Sequence, residues 1–296
     1  QARHRARTVA EFVPMIGRMF PDADRENALA SYEPRPTDVI ISPFGKCGTT
    51  WLQQTFHCLR TGGNQDFDDI SRVVPWIETS TTLGLDINAE QRANPRGFKS
   101  HLAYDDLPKG ARYVVSLRDP GDALVSMYKF MEGWFMEPGS VPMEQFAFGW
   151  AADGRYWRHL TSWWAQRDNS NVLIFSYEHM CEDPKGHVKR LAKFMGIALD
   201  DDLLQLTLDR TSIAFMLKHK DKFDDLMMRQ KSEELCNLPP GSDSAKVRQG
   251  GAGGHRTAIA PETAQMLNEA WTQNAAAATG FASYAELEAA LRKRTG

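Results

Sequence analysis

The stretch Val39-Ile40-Ile41-Ser42-Pro43-Phe44-Gly45-Lys46-Cys47-Gly48-Thr49-Thr50-Trp51-Leu52 constrains this chain more than any other. It reads as a buried strand, a glycine-containing turn with one lysine, and a helix start. A helix N-terminus carries unpaired N–H groups and positive dipole charge, so this order suits phosphate or sulfate. Gly45 and Gly48 let the backbone curl close to an anion. Lys46 adds a full charge, and Thr49 and Thr50 add hydroxyl donors in the first helical turn. The nucleotide-triphosphatase pattern G-x-x-x-x-G-K-[ST] is absent, because Lys46 precedes the second glycine. Taken alone, an ordinary strand–turn–helix joint with a surface lysine has the same appearance.

Two further β-branched, almost wholly apolar runs lie at 113–117 and 172–176. Amphipathic helical segments follow each run, at 52–59, 122–130 and 184–195. Continuously apolar strands alternating with helices predict an α/β fold, with a central parallel sheet flanked by helices and ligands at the carboxyl ends of the strands. An N-terminal segment, 1–37, precedes a single domain, 38–296. The charged, Pro- and Gly-rich span at about 221–254 is expected to be a long mobile loop, followed by closing helices at 261–271 and 284–293. With 42% hydrophobic and 25% charged residues and a net charge of −3, the composition argues against a general nucleic-acid or membrane-surface binder. No apolar run approaches the ~20 residues of a membrane span, and the basic N-terminus lacks a signal-peptide core. Cys47, Cys58, Cys181 and Cys236 match no zinc or disulfide spacing, which predicts free thiols and a cytoplasmic location.

Three more elements fall near strand ends. Lys99 and His101 lie two residues apart, so an extended backbone points both to one side; a histidine there could serve as general base, with the cation helping to keep it neutral. Arg118 follows the second strand and Ser126 lies in the next helix; Arg suits phosphate, or alternatively pairs with Asp119 or Asp122. Arg248-Gln249-Gly250-Gly251 adds an arginine and a glycine-rich backbone, otherwise a solvated loop tip. Two anion-binding clusters and one base suit transfer of a charged group from a doubly anionic donor.

In this order the motifs resemble the cytosolic-type sulfotransferases, which use 3′-phosphoadenosine 5′-phosphosulfate. The family's Tyr-Pro-Lys-Ser-Gly-Thr-Thr-Trp loop appears as Phe44-Gly45-Lys46-Cys47-Gly48-Thr49-Thr50-Trp51, and its Lys-[Ser/Thr]-His-Leu as Lys99-Ser100-His101-Leu102. Its Arg-[Asn/Asp]-Pro-x-Asp-x-x-x-Ser runs from Arg118 to Ser126, and its late Arg-Lys-Gly-x-x-Gly survives as Arg248-Gln249-Gly250-Gly251-Ala252-Gly253. Trp163-Trp164, Tyr177-Glu178 and Thr211-Ser212 match as well.

The resemblance implies a P-loop-like sulfotransferase fold and an enzyme that sulfates a hydroxyl group. It implies that Lys46, Cys47, Gly48, Thr49 and Thr50 hold the phosphosulfate, and that Arg118, Ser126, Arg248, Gln249 and Gly250 hold the 3′-phosphate. Trp51, Tyr177, Thr211 and Ile213 line the adenine site, with Ile213 in place of a family aromatic. His101 acts as base and Lys46 and Lys99 as catalytic cations, with no metal.

Three departures stand out. Cys47 replaces a serine, which predicts a thiol of lowered pKa, sensitive to alkylation. Gln249 replaces a lysine, which predicts weaker 3′-phosphate binding. Gly254-His255-Arg256 replaces Asp-Trp-Lys, and the dimerisation pattern that follows is not recognisable, leaving the oligomeric state open. For the acceptor, Phe44, Trp76, Ile77, Phe130 and Trp134 predict a hydrophobic pocket for a hydroxylated small molecule or lipid. Nucleic-acid binding and stable membrane insertion are not expected. A phosphoryl-transfer kinase and a catalytically silent nucleotide binder remain the competing readings.

Overall fold

The computed structural model describes residues 2–244, 246–248 and 251–295. Among these, four strands form one sheet: β1 Val39–Ile41, β2 Gly97–Lys99, β3 Arg112–Leu117 and β4 Val172–Ser176, in the order β2-β1-β3-β4. Every pairing is parallel, with Ile41 opposite both Lys99 and Val114, and Leu117 opposite Ser176. The predicted α/β architecture is therefore the observed one. The added strand is β2, whose three residues Gly97, Phe98 and Lys99 are too short and too mixed to announce themselves.

Successive strand residues point to opposite faces, and the core divides accordingly. Ile40, Phe98, Tyr113 and Val115 join Trp157, Trp163 and Trp271 on one face. Val39, Ile41, Val114 and Phe175 join Phe56, Leu191 and Met195 on the other. Phe56 lies so close to β2 that a Cβ on Gly97 would come within 2.0 Å of its ring; only glycine admits that helix–sheet distance.

The N-terminal segment forms two helices, Val9–Met19 and Asp22–Ser31. It is tied to the sheet by Asp38, which takes both Nε (2.9 Å) and Nη2 (2.7 Å) of buried Arg96 and the Tyr32 hydroxyl (2.7 Å). Breaking such a buried pair by removing one partner typically costs ~3–5 kcal/mol.

One expectation needs correction. The 221–254 span is not loop throughout: it contains the helix Leu226–Leu235, with Met227, Met228 and Ser232 buried. Arg229, Lys231, Glu233 and Glu234 on its other faces obscured that short apolar stripe. The closing helices are Pro261–Asn274 and Tyr284–Thr295, within three residues of expectation. Among the described residues no helix is long and apolar enough to cross a membrane.

Candidate active site

The carboxyl ends of β1, β3 and β4 converge on the loop that carries Lys46. Two left-handed residues shape this loop, Lys46 (φ 66°) and Gly48 (φ 103°), and the helix Thr49–Thr61 starts at once without a side-chain cap. Its first N–H groups lack intrahelical acceptors, as at any helix start. A Cβ on Gly48 would lie 2.9 Å from Ser116 Oγ and 3.1 Å from the Tyr177 ring. Thr49 Oγ1 is buried without a partner. Buried hydroxyls are normally satisfied, so an orphan at a helix N-terminus fits an anionic ligand there.

Arg118, just beyond β3, donates from Nη1 to the Lys46 carbonyl (2.6 Å) and lies 4.1 Å over the Tyr177 ring. Its Nε is buried without a partner. It pairs with neither nearby aspartate: Asp119 caps the helix Pro120–Glu132, and Asp122 accepts from the Gly253 N–H and from the N–H and ring of His255. Asp119, Asp122 and His255 bring three ligand-type atoms within 4.8 Å of one another, and these contacts anchor the 253–255 backbone to that helix. Trp51 meets Tyr177 edge-on at 6.0 Å.

Lys46 Nζ donates to the Lys246 carbonyl (3.2 Å) and lies 4.7 Å from the Phe130 ring centre. Burial, then the charges of Lys246 and Arg118, push its pKa down to about 7. At the end of β2, Lys99 lies 4.0 Å over the Trp76 ring and 3.4 Å from Asp225; burial lowers it to about 8, against the pull of Asp225. His101 Nδ1–H donates to the Pro43 carbonyl (2.7 Å), which makes Nε2 the ring's lone pair. Glu78 fixes this corner by accepting from the His101 N–H and from Trp76 Nε1. Burial first, and Lys99 second, hold His101 down to about 3, so the ring is neutral at ordinary pH.

One cavity of about 1730 Å³ is lined by Lys46, Gly48, Thr49, Thr50, Trp51, Lys99, His101, Arg118, Ser126, Tyr177, Thr211, Ile213 and Arg248. Phe44, Trp76, Phe130 and Trp134 line it too. Single-ligand pockets hold ~300–1,000 Å³, so this one has room for two ligands. Gln249 and Gly250 lie outside the described residues.

Two expectations are corrected. Ile77 is wholly buried within the core and is not part of the cavity wall. Cys47 is likewise 1% exposed and turned into the core, and burial pushes its thiol up to about 12 rather than down. The helix N-terminus acts on main-chain groups facing the cavity, whereas this side chain points away from it. Three features escaped the sequence reading altogether. Asp225 and Lys246 line the cavity, as does the helix Val9–Met19 through Phe12 and Ile16. The Asp224-Asp225 doublet was the available signal, hidden in a span read as charged loop.

Residues 36–279 match the family model for the sulfotransferase domain. Sulfotransferase 1B1 of Canis lupus familiaris is 30% identical over 214 residues, 67% of this chain and 72% of that protein. Sulfotransferase 1 family member D1 of Rattus norvegicus is 27% identical over 227 residues, 72% and 77% respectively. Among solved structures, retinol dehydratase in complex with androsterone and the inactive cofactor PAP superposes with a TM-score of 0.70 at 18% identity, covering 92% of this chain and 95% of that one. Mouse sulfotransferase SULT7A1 complexed with PAP gives 0.65 at 19%, covering 93% and 95%. At such identities the structures speak for the fold, while the domain match spans most of the sequence: the chain belongs to the sulfotransferase family.

Proposed function

We propose that His101 is the general base of this sulfotransferase and that Lys46 and Lys99 are its catalytic cations. The enzyme transfers a sulfuryl group from 3′-phosphoadenosine 5′-phosphosulfate to a small-molecule hydroxyl. The donor supplies an activated sulfur whose bond to a phosphate oxygen breaks as the acceptor oxygen attacks. His101 Nε2 takes the hydroxyl proton during that attack. Lys46 neutralises the charge gained by the leaving phosphate, and Lys99 supports the transferring group; preorganised donors of this kind are commonly worth ~3–4 kcal/mol each. The uncapped helix start at Gly48 and Thr49 would hold the phosphosulfate, with the orphaned Thr49 hydroxyl as a donor. Arg118, Ser126 and Arg248 would hold the 3′-phosphate, and Trp51 and Tyr177 the adenine.

The observation that carries this reading is the fixed His101 tautomer, Nδ1–H on Pro43, in the cavity that also holds Lys46 and Lys99. The aromatic end of the cavity, with Phe44, Trp76, Phe130 and Trp134, supports a hydrophobic alcohol or phenol as acceptor. Four unpaired cysteines support a reducing, cytoplasmic setting. His101→Ala tests the base: turnover should fall ~10²–10⁴-fold, while calorimetric affinity for adenosine 3′,5′-bisphosphate (PAP) stays unchanged. Unimpaired turnover in that variant would remove His101 from the role.

A further inference from the structure

A lysine from an irregular segment normally keeps its ammonium in water. Lys246 does the reverse: its side chain is 9% exposed and Nζ lies 2.6 Å from Asp225 Oδ2. The other oxygen of the same carboxylate lies 3.4 Å from Lys99 Nζ. Asp225 is 3% exposed and adopts left-handed backbone angles (φ 49°, ψ 50°), which a non-glycine residue holds only where its surroundings compensate.

We propose that Lys246 is a further donor-binding cation, set beside Lys99 at the sulfuryl end of the donor, and that Asp225 is the positioning residue aligning the two ammonium groups. This rests on the donor reading above.

Charge supports it. Lys46, Lys99, Lys246 and Arg118 face one cavity with Asp225, and the Lys246 carbonyl receives Lys46 Nζ, which places the two residues side by side. Asp69 is the neighbouring carboxylate; it is committed to the Ser71 and Met227 N–H groups, and burial, then Asp225, push it up. Asp224 faces Lys246 too, but pairs with Arg229 at 3.3 Å. Buried cations in excess of carboxylates are costly unless an anion joins them, and a phosphosulfate is such an anion. Asp225 also accounts for the inward turn of both lysines: Lys246 and Lys99 hold its carboxyl well below the usual range against the effect of burial. It is their shared counter-ion.

PAP lacks the sulfuryl group, so the two ligands separate the ends of the site. Titrating Lys246→Met with each, by calorimetry and without acceptor, should show affinity for the phosphosulfate down roughly 10-fold or more, as for loss of a charged contact, and PAP affinity unchanged. Retained PAP binding also shows that the variant folds. Equal loss for both ligands, or loss for neither, would overturn the assignment. If the unaltered protein binds neither ligand, the donor reading itself fails. Asp225→Asn keeps shape and tolerates left-handed angles, yet removes the charge. Because Asp225 raises both Lys46 and Lys99, the alkaline limb of kcat/KM should move to lower pH. Facing groups on Lys99, Lys246, Lys46, His101, Asp69 and Asp224 are retained in that variant, so an unmoved limb would leave Asp225 with a structural role only.

Discussion

The Ser42–Gly48 loop and the 224–258 segment both bring cations to the cavity, but they are held by different forces. The first is clamped through its main chain. Ser42 N–H bonds the Val114 carbonyl, and the Ser42, Pro43, Lys46 and Cys47 carbonyls accept from His159, His101, Arg118 and Ser116. The second docks through buried Met227, Met228 and Leu238, and charged side chains add its polar contacts to the cavity: Asp225 with Lys246 and Lys99, and His255 with Asp122. Main-chain clamps between neutral donors and carbonyls are little affected by salt. Ion pairs are screened and titrate. The cavity is thus a half clamped through its main chain joined to one whose polar contacts to the site are ionic.

Buried histidines, two of them clamping the first loop, and His255 in the second segment should respond to pH with opposite signs, and the larger effect is in acid. Burial holds His57, His101 and His187 down to about 3 and His159 to about 4. Each is neutral when folded but takes a proton near pH ~6.5 when unfolded. Their contribution is complete above that pH and is lost as pH falls toward the folded values, by up to ~1.4 kcal/mol per pH unit for each histidine. Denaturant midpoints measured from pH 7 to 5 should fall steadily; a flat profile would contradict the buried, neutral assignment.

Next in size is Gly48→Ala. It forces a side chain into a left-handed residue and against Ser116 and Tyr177, at ~1–3 kcal/mol of stability, with PAP affinity reduced as well. Chemical denaturation and calorimetry on the same sample would check both, and unaffected PAP binding would show that the loop is less rigid than its clamps imply.

A smaller, opposite effect is expected on the alkaline side. The Asp122 hydrogen bond raises His255 despite burial, with Asp119 adding to the rise and Arg256 opposing it. A raised histidine stabilises below its unfolded pKa and loses that contribution as pH climbs through the folded value. Hydrogen exchange around 253–258 should therefore accelerate between pH 6 and 9, after correction for intrinsic rates, by ~1 kcal/mol or less of local protection. His255→Ala should abolish the trend.

The least perturbing test uses thiols. Half-buried Cys181 should react with iodoacetamide before Cys47 and Cys58, both pushed to about 12 by burial. Faster alkylation at Cys47 would restore the reactive-thiol expectation.

The sheet was legible because short, β-branched apolar runs at 39–42, 113–117 and 172–176, each followed by an amphipathic helix, suit strands covered on both faces. The Lys46 loop was legible for a related reason: a strand, a glycine turn and a helix start are all set by neighbours within a few residues. Cys47 was misjudged because position beside Lys46 does not say which way a side chain turns. The helix Leu226–Leu235 was missed because its charged faces resemble loop composition.

By itself, then, the sequence determined the parallel sheet, the glycine turn that carries Lys46 and the Lys99–His101 pair, each encoded by periods of two to four residues. Tertiary structure alone decided that Asp225 meets Lys99 across 126 positions and that Lys246 meets Lys46 across 200. Chain folding, not local spacing, creates such contacts, since they depend on where two distant backbones come to rest.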